Sequence, residues 1–238
     1  MGNMFTAHHN PGPQGSAETR WPQVPLAENL LETRMVRLGD MDGDGDLDVV
    51  GTASRSGLVL WMENPGHPTK LPWTQHYIDL APRAAHGQIV DMDHDGDPDV
   101  VMAAGFASDL APSDRLPIQQ EVVWYENLGR GADWKKHIVA RPFDQAFEAV
   151  TADFDADGDL DIVATAWLAG PGAALVWYES TGPDQWTPHV LKDNWPRAVQ
   201  VVTADLDGDG RMDIAACAEG DTREVRWWRN EGAQPGSK

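Results

Sequence analysis

Four copies of one aspartate-rich loop constrain the fold of this chain more than any other feature. The loops begin at residues 40, 91, 153 and 205 and share the pattern Asp-x-Asp-x-Asp-Gly-x-x-Asp. Carboxylates held this close together repel one another, and a hard cation that prefers oxygen ligands removes the repulsion. The pattern therefore predicts cation-binding loops and a fold built from repeats.

The spacing within each loop favours calcium. Carboxylates stand at positions 1, 3, 5 and 9, Gly stands at position 6, and position 7 offers its backbone carbonyl. Position 12 is Gly51 in the first copy and Met102 in the second, so the bidentate Glu of a helix-loop-helix site is missing. Short β-branched runs such as Asp161–Val163 follow the loops, which predicts that each loop connects two β-strands.

The predicted ligands form four sets, and up to four calcium ions are expected. A solvated acidic turn that binds nothing is the alternative for each loop, and four copies in register argue against it. Arg211 replaces the acidic residue at position 7 of the fourth loop, where only a carbonyl is needed, so weaker binding is expected there. The predicted ligands are Asp40, Asp42, Asp44, Asp46 and Asp48; Asp91, Asp93, Asp95, Asp97 and Asp99; Asp153, Asp155, Asp157, Asp159 and Asp161; and Asp205, Asp207, Asp209, Arg211 and Asp213, with Asp46, Asp97, Asp159 and Arg211 acting through backbone carbonyls.

Much of the acidity of the chain belongs to these loops. The net charge is −20, and 19 of the 38 acidic residues lie in the loops. The remaining negative charge argues against nucleic acid as a partner, and the lack of an 18-residue apolar run argues against membrane insertion. Weak calcium sites need the millimolar calcium found outside cells, so we expect a secreted, periplasmic or extracellular protein whose signal peptide is not present in this chain.

Two further motifs repeat in step with the loops. A Trp-centred strand follows each loop, with Trp61, Trp124, Trp177 and Trp227 at its centre, and a Trp-x-x-His strand follows in the first three repeats. Each repeat thus offers four short strands, one before the loop, one after it, and the two Trp strands. Four-stranded units at a period of about 50 residues are typical of β-propeller blades.

The repeats predict an all-β, four-bladed β-propeller with four antiparallel strands per blade. The fourth repeat lacks a Trp-x-x-His strand, and a surplus one, residues 21–26, precedes the first loop. We therefore expect the N-terminal strand to complete the last blade and close the ring, which removes free sheet edges. The expected organisation is a flexible segment at 1–20, a single propeller at 21–232 with blades at about 32–80, 84–141, 146–192 and 198–230 plus 21–26, and a flexible tail at 233–238.

The loops resemble the FG-GAP/VCBS-type repeats of calcium-binding β-propellers, including the calcium loops of integrin α-subunits. Together with the Trp-Tyr-Glu-Asn and Trp-x-x-His strands, they look most like propeller modules of polysaccharide-associated proteins and of aldos-2-ulose dehydratase. The resemblance implies a propeller and calcium. The chain departs from the family in lacking Phe-Gly and Gly-Ala-Pro signatures and in having four repeats where seven are usual.

Ligand-binding residues are expected where the repeats differ, because features shared by every blade serve the architecture. The irregular positions fall in connections on the face opposite the loops, including an insertion within residues 105–120. We predict ligand contacts there from polar and aromatic side chains and, if the protein is an enzyme, acid-base roles for His86 and Glu148. The predicted ligand-binding residues are Arg83, Arg141, Trp167, Trp195, Arg197 and Gln200.

Three functions remain open from the sequence. The first is a calcium-stabilised binding module that recognises carbohydrate or a partner protein on the face opposite the loops. The second is a carbohydrate lyase, dehydratase or isomerase with its site at the mouth of the central channel. The third is a structural or oligomerisation module. No Ser-His-Asp signature, nucleotide loop or zinc motif points to another chemistry.

Overall fold

The computed structural model describes residues 4–10, 12, 21–106, 120–168 and 172–232. The prediction of an all-β protein is confirmed: the described residues form 17 strands and no helix. Accordingly, none of the described segments is a helix that could cross a membrane.

Three complete four-stranded antiparallel units account for most of the chain. Unit 1 pairs its strands in the order β3-β4-β5-β6, unit 2 in the order β7-β8-β9-β10 and unit 3 in the order β11-β12-β13-β14. Their bounds are β3 Thr33–Gly39, β4 Asp48–Ala53, β5 Leu58–Glu63 and β6 Thr74–Leu80; β7 Ala84–Val90, β8 Asp99–Ala104, β9 Glu121–Asn127 and β10 Trp134–Ala140; β11 Ala146–Ala152, β12 Asp161–Ala166, β13 Ala173–Gly182 and β14 Gln185–Asp193.

The second strand of each unit is buried along its whole length, because neighbouring units cover both faces of the sheet. All six residues of β4, β8 and β12 are buried, which matches their runs of Val, Ile, Ala and Gly. The first strands meet from one unit to the next: β3 contacts β7, and β7 contacts β11. Units 2 and 3 are joined into one eight-stranded sheet by a parallel pairing of β7 with β11, at His86 and Glu148.

Unit 4 has three strands among the described residues. They are β15 Ala198–Ala204, β16 Asp213–Ala218 and β17 Glu224–Trp228, paired in that order, and β15 contacts β11. The prediction that residues 21–26 complete this unit is wrong. Strand β2, Gln23–Ala27, pairs instead with β1, Phe5–His8, which lies in the stretch expected to be a flexible N-terminal segment.

The β1–β2 hairpin covers unit 1 rather than unit 4. Phe5, Val24 and Leu26 are buried in one cluster with Leu60 and Met62 of unit 1. The contact requires Gly51, because a Cβ there would lie 2.3 Å from the Phe5 ring. The outer face of unit 4 has no such cover in the described part of the chain. The described residues therefore do not show the closed four-bladed ring that the sequence predicted.

Candidate functional site

The four Asp loops bring their carboxylates together as the sequence predicted. In each loop three carboxylate oxygens lie within 4.8 Å of one another, which is a cluster that could hold a metal ion. Three of the four clusters combine loop positions 1, 3 and 9, and the third loop combines positions 1, 3 and 5. The clusters are Asp40, Asp42 and Asp48; Asp91, Asp93 and Asp99; Asp153, Asp155 and Asp157; and Asp205, Asp207 and Asp213.

The Asp at position 9 also ties each loop to its sheet. In unit 1, Asp48 is buried and accepts hydrogen bonds from the backbone N–H of Met41 at 2.9 Å and of Asn64 at 2.8 Å. Asp99, Asp161 and Asp213 accept the equivalent pairs in the other units. The sequence predicted these residues as ligands, and it missed that each one also connects the loop to the third strand.

Two loops contain buried carboxylate oxygens that no described residue satisfies. Oδ1 of Asp91 and Oδ1 of Asp153 are buried and accept no hydrogen bond from any described residue. A buried acceptor without a partner is costly, and a hard cation would satisfy it. The residues present therefore fit a calcium ion, although other oxygen-loving divalent ions share this chemistry.

The pKa values of the loops describe the same crowding. Burial, together with the neighbouring loop carboxylates, raises the pKa of Asp48 and Asp161 to about 6 and that of Asp99 to about 7. In the fourth loop the pKa of Asp213 is lowered, first by the hydrogen bond from the Asn230 amide and also by the positive charge of Arg229. Burial thus disfavours the charged form of the position-9 carboxylate in loops 1–3, whereas in loop 4 a nearby positive charge helps to compensate it.

Arginine side chains provide that compensation in loop 4. Arg229 Nε lies 2.6 Å from Asp207, Arg229 Nη2 lies 3.4 Å from Asp209, and Arg211 forms a close ion pair with Asp209. Units 1–3 have Glu63, Glu126 and Glu179 where unit 4 has Arg229. From the sequence, Arg211 was expected to contribute only its backbone carbonyl as a metal ligand. A comparison of the Trp strands in the four repeats would have identified Arg229.

The opposite face carries a cluster of rings and arginines. Phe106 contacts Phe147 and Trp167, with ring centroids 4.9 and 5.4 Å apart, and His86 lies 5.0 Å from Phe147. Arg34 lies over the Phe106 ring at 4.5 Å and Arg197 over the Trp167 ring at 5.1 Å. We call these six residues the aromatic–arginine cluster. It includes Trp167, Arg197 and His86, which the sequence predicted. The other three members, Phe106, Phe147 and Arg34, were not predicted as site residues.

The predicted acid-base pair lies at the junction of units 2 and 3. Glu148 is buried, accepts a hydrogen bond from the Val201 amide at 3.0 Å, and lies 3.5 Å from Arg37. Burial raises its pKa. Burial and the positive charges of Arg34 and Arg37 lower the pKa of His86 to about 4, so the imidazole is neutral at neutral pH. Glu148 therefore contributes to the packing of units 3 and 4 as well as standing beside His86.

Three of the other predicted ligand-binding residues have internal partners. Arg83 is buried and pairs with Glu32 at 3.1 Å, and Arg141 pairs with the buried Glu121. Trp195 is 2% exposed and donates from Nε1 to Glu224 at 2.8 Å, so its ring is not open to a ligand. Gln200 is exposed. Most of the predicted insertion, residues 107–119, lies outside the described residues.

Comparison with known proteins supports one part of the family resemblance. Residues 40–102 match the family model of an FG-GAP-like repeat. The match covers the first two Asp loops and the strands between them. No curated protein matches the chain.

Proposed function

We propose that the chain is a calcium-stabilised binding module of the β-propeller type, in which units 1–4 act as blades. The observation that carries this proposal is the recurrence of one carboxylate cluster in four loops, with unpartnered buried oxygens on Asp91 and Asp153. The match to an FG-GAP-like repeat supports a binding module of this type. Millimolar calcium outside the cell would keep such loops filled, which supports secretion.

The ligand is proposed to bind at the aromatic–arginine cluster, on the face opposite the calcium loops. Aromatic faces pack against the apolar faces of sugar rings, and guanidinium groups donate to hydroxyl or carboxylate oxygens. Carbohydrate fits this combination, and an acidic loop of a partner protein would use the same arginines. Gln200 on β15 and Arg37 on β3, the first strands of units 4 and 1, supply further polar groups.

Calcium dependence is tested by thermal unfolding with and without chelator. A single ion at 100 times its Kd stabilises the native state by about 2.7 kcal/mol, which is roughly 5–10 °C for a chain of this size. We expect the Tm to fall by at least that amount in excess chelator and to recover when calcium is restored. An identical melting curve in chelator and in calcium would contradict the proposal.

Ligand binding is tested on a glycan array and by calorimetry with calcium present. Arg197→Ala and Arg34→Ala should weaken binding together, whereas Arg130→Ala, a substitution near the loop face, serves as the matched control. Binding that survives the double substitution unchanged would place the ligand elsewhere.

An enzymatic role is a second candidate because the backbones of His86 and Glu148 are paired between β7 and β11. A neutral imidazole and a carboxyl group that both reach a bound sugar could move a proton on it. A lyase and isomerase screen with His86→Gln tests this role. No turnover by the unmodified protein on any substrate that it binds would exclude it.

A structural or oligomerisation role is the third candidate. It is favoured by the exposed outer face of unit 4, where Val225 is 79% and Trp227 52% exposed. Analytical ultracentrifugation in calcium tests this role. A protein that stays monomeric at all concentrations would exclude oligomerisation.

A further inference from the structure

The junction between units 2 and 3 differs from the junction between units 1 and 2 in one respect that points to a ligand. At the first junction two indole N–H groups converge on one carbonyl: Trp61 donates to Gly131 O at 3.2 Å and Trp134 donates to the same oxygen at 3.0 Å. Trp124 and Trp186 hold the equivalent repeat positions at the second junction. Neither of their indole N–H groups has a hydrogen-bond partner among the described residues.

Trp177, at the junction of units 3 and 4, also has no hydrogen-bond partner for its indole N–H among the described residues, so the acceptor depends on the whole turn between the third and fourth strands and not on the bridge alone. In unit 2 this turn is held by Asn127, which donates to Met41 O of unit 1 at 3.1 Å and accepts from the Gly131 amide at 2.9 Å. In unit 4 Asn230 makes the same bridge, to Phe154 O of unit 3 at 2.7 Å. Unit 3 has Ser180 at this position, with a shorter side chain than Asn, and its turn from Ser180 to Trp186 is one residue shorter than the turn from Asn127 to Trp134.

A cavity of about 380 Å³ opens where the bridge is absent. Trp124 and Trp186 line it with Met92 and Leu160, and Trp124 is only 8% exposed. This volume lies at the lower end of the range for small-molecule sites, so it suits one small ligand. The unpartnered indole of a side chain that is more than nine-tenths buried marks the cavity as a built site rather than a surface hollow.

The polar lining limits the chemistry of that ligand. Four acidic residues line the cavity, namely Asp93, Glu126, Asp159 and Asp184. The one lysine in the lining, Lys135, pairs with Glu126 at 2.9 Å, so the lining stays net negative and disfavours an anion. His137 is hydrogen-bonded on both ring nitrogens, to Glu126 at 2.6 Å and to Asp184, so it is fixed in place. The indole N–H groups only donate, and the carboxylates only accept. The ligand must therefore carry an acceptor oxygen and hydroxyl donors on a small, partly apolar frame.

We propose that this cavity binds a single neutral sugar unit, with one sugar oxygen taking the place of the Gly131 carbonyl between Trp124 and Trp186. A sugar hydroxyl accepts from the indoles and donates to the carboxylates, and the C–H face of the ring packs on Trp186 and Met92. This site lies on the loop side of the molecule, away from the aromatic–arginine cluster. It therefore goes beyond the proposed function and does not depend on it.

The test follows indole N–H signals by NMR while a panel of neutral hexoses, N-acetylhexosamines and their disaccharides is added to the calcium-loaded protein. We expect one sugar class to shift the Trp124 and Trp186 signals saturably and to leave Trp61 and Trp134 unchanged. If no sugar in the panel shifts either signal at millimolar concentration, the cavity holds water only and the proposal is overturned.

Three substitutions make the result specific. Ser180→Asn restores the bridge of units 2 and 4, and it should abolish the shifts while keeping the Tm at or above that of the unmodified protein. Trp186→Phe keeps the ring and removes one donor, so it should weaken binding about five- to tenfold. Trp134→Phe is the matched control, because its N–H is already bonded within the protein.

Two outcomes separate this site from the opposite face. Sugar binding that survives Ser180→Asn but is lost in the Arg34→Ala, Arg197→Ala double variant would overturn the cavity and support the proposed function. Sugar binding that is lost in Ser180→Asn and retained in the double variant would support the cavity as the site. That result would not depend on whether the aromatic–arginine cluster binds a ligand.

Discussion

Units 1–3 and unit 4 carry the same repeat but differ in what surrounds it. Trp61 and Trp227 occupy one repeat position; Trp61 is 1% exposed because unit 2 covers it, whereas Trp227 is 52% exposed. Val59 and Val225 show the same contrast. One sequence motif is therefore core in one unit and surface in another. The burial of these tryptophans therefore depends on the unit that follows them.

The loops repeat this contrast in their electrostatics. Loops 2 and 3 leave buried carboxylate oxygens unpartnered, whereas in loop 4 Arg211 and Arg229 pair with the acidic side chains. Since a guanidinium and a calcium ion compete for the same oxygens, loop 4 has its own substitute for the ion. Three calcium sites and one self-neutralised loop are the expected result.

The largest expected difference concerns the tryptophans. Trp61→Ala should lower the free energy of unfolding by about 3–5 kcal/mol, because it removes a fully packed ring. Trp227→Ala should cost less than about 1 kcal/mol, since surface substitutions have small effects. Urea denaturation of both variants measures the contrast. Equal losses would show that the outer face of unit 4 is covered in solution.

The next largest difference concerns the metal. Asp153→Ala should remove one calcium ion and lower the Tm in calcium by roughly 5–10 °C, on the scale of one tightly bound ion. Asp205→Ala, at the same position of loop 4, should change the Tm much less. Calorimetric stoichiometry should give about three ions for the unmodified protein. Four equivalent ions would break the distinction between the loops.

Loop 4 can be converted to the pattern of the others. The double substitution Arg211→Asp and Arg229→Glu restores the residues found in the first three repeats at these positions. We expect a further calcium ion in the titration and a larger drop in Tm on chelation than in the unmodified protein. Arg226→Glu is a charge-matched control in the same strand. A double variant that gains no calcium would show that the arginines do not control the site.

The smallest expected effect concerns the His–Glu pairs, which unit 4 lacks among its described residues. His76 and Glu63 lie 2.8 Å apart at a partly exposed position, so His76→Gln should cost no more than about 1 kcal/mol. His137 is buried between Glu126 and Asp184, and His137→Gln should cost more. Thermal unfolding of the two variants compares the two losses of stability directly. A larger loss for His76→Gln than for His137→Gln would show that burial does not set the strength of these pairs.

Much of the local structure was predictable because it depends on short-range patterns. The loop motif placed the carboxylates, the β-branched runs placed the strands, and the Trp-x-x-His motif placed a histidine beside the central tryptophans of units 1–3. The stacking of Trp124 on His137, with centroids 3.9 Å apart, shows such a pair.

The candidate ligand sites were less predictable because they depend on contacts between units. Trp195 is an irregular tryptophan like Trp167, and only the structure distinguishes the buried one from the half-exposed one. The cavity between units 2 and 3 was missed altogether. Its sequence signal is the replacement of Asn by Ser180, which gains meaning only when the bridge made by Asn127 to another unit is known.

The sequence by itself determined the repeat, the strands and the four acidic loops, because each of these depends on residues that are close along the chain. Only the tertiary structure decided that β2 pairs with β1, that no other described strand covers the outer face of unit 4, and that Arg229 pairs with the acidic side chains of loop 4. These features depend on which distant surfaces meet, and one strand pattern is compatible with several partners. Pairing between distant segments is decided by total burial, which no single repeat encodes.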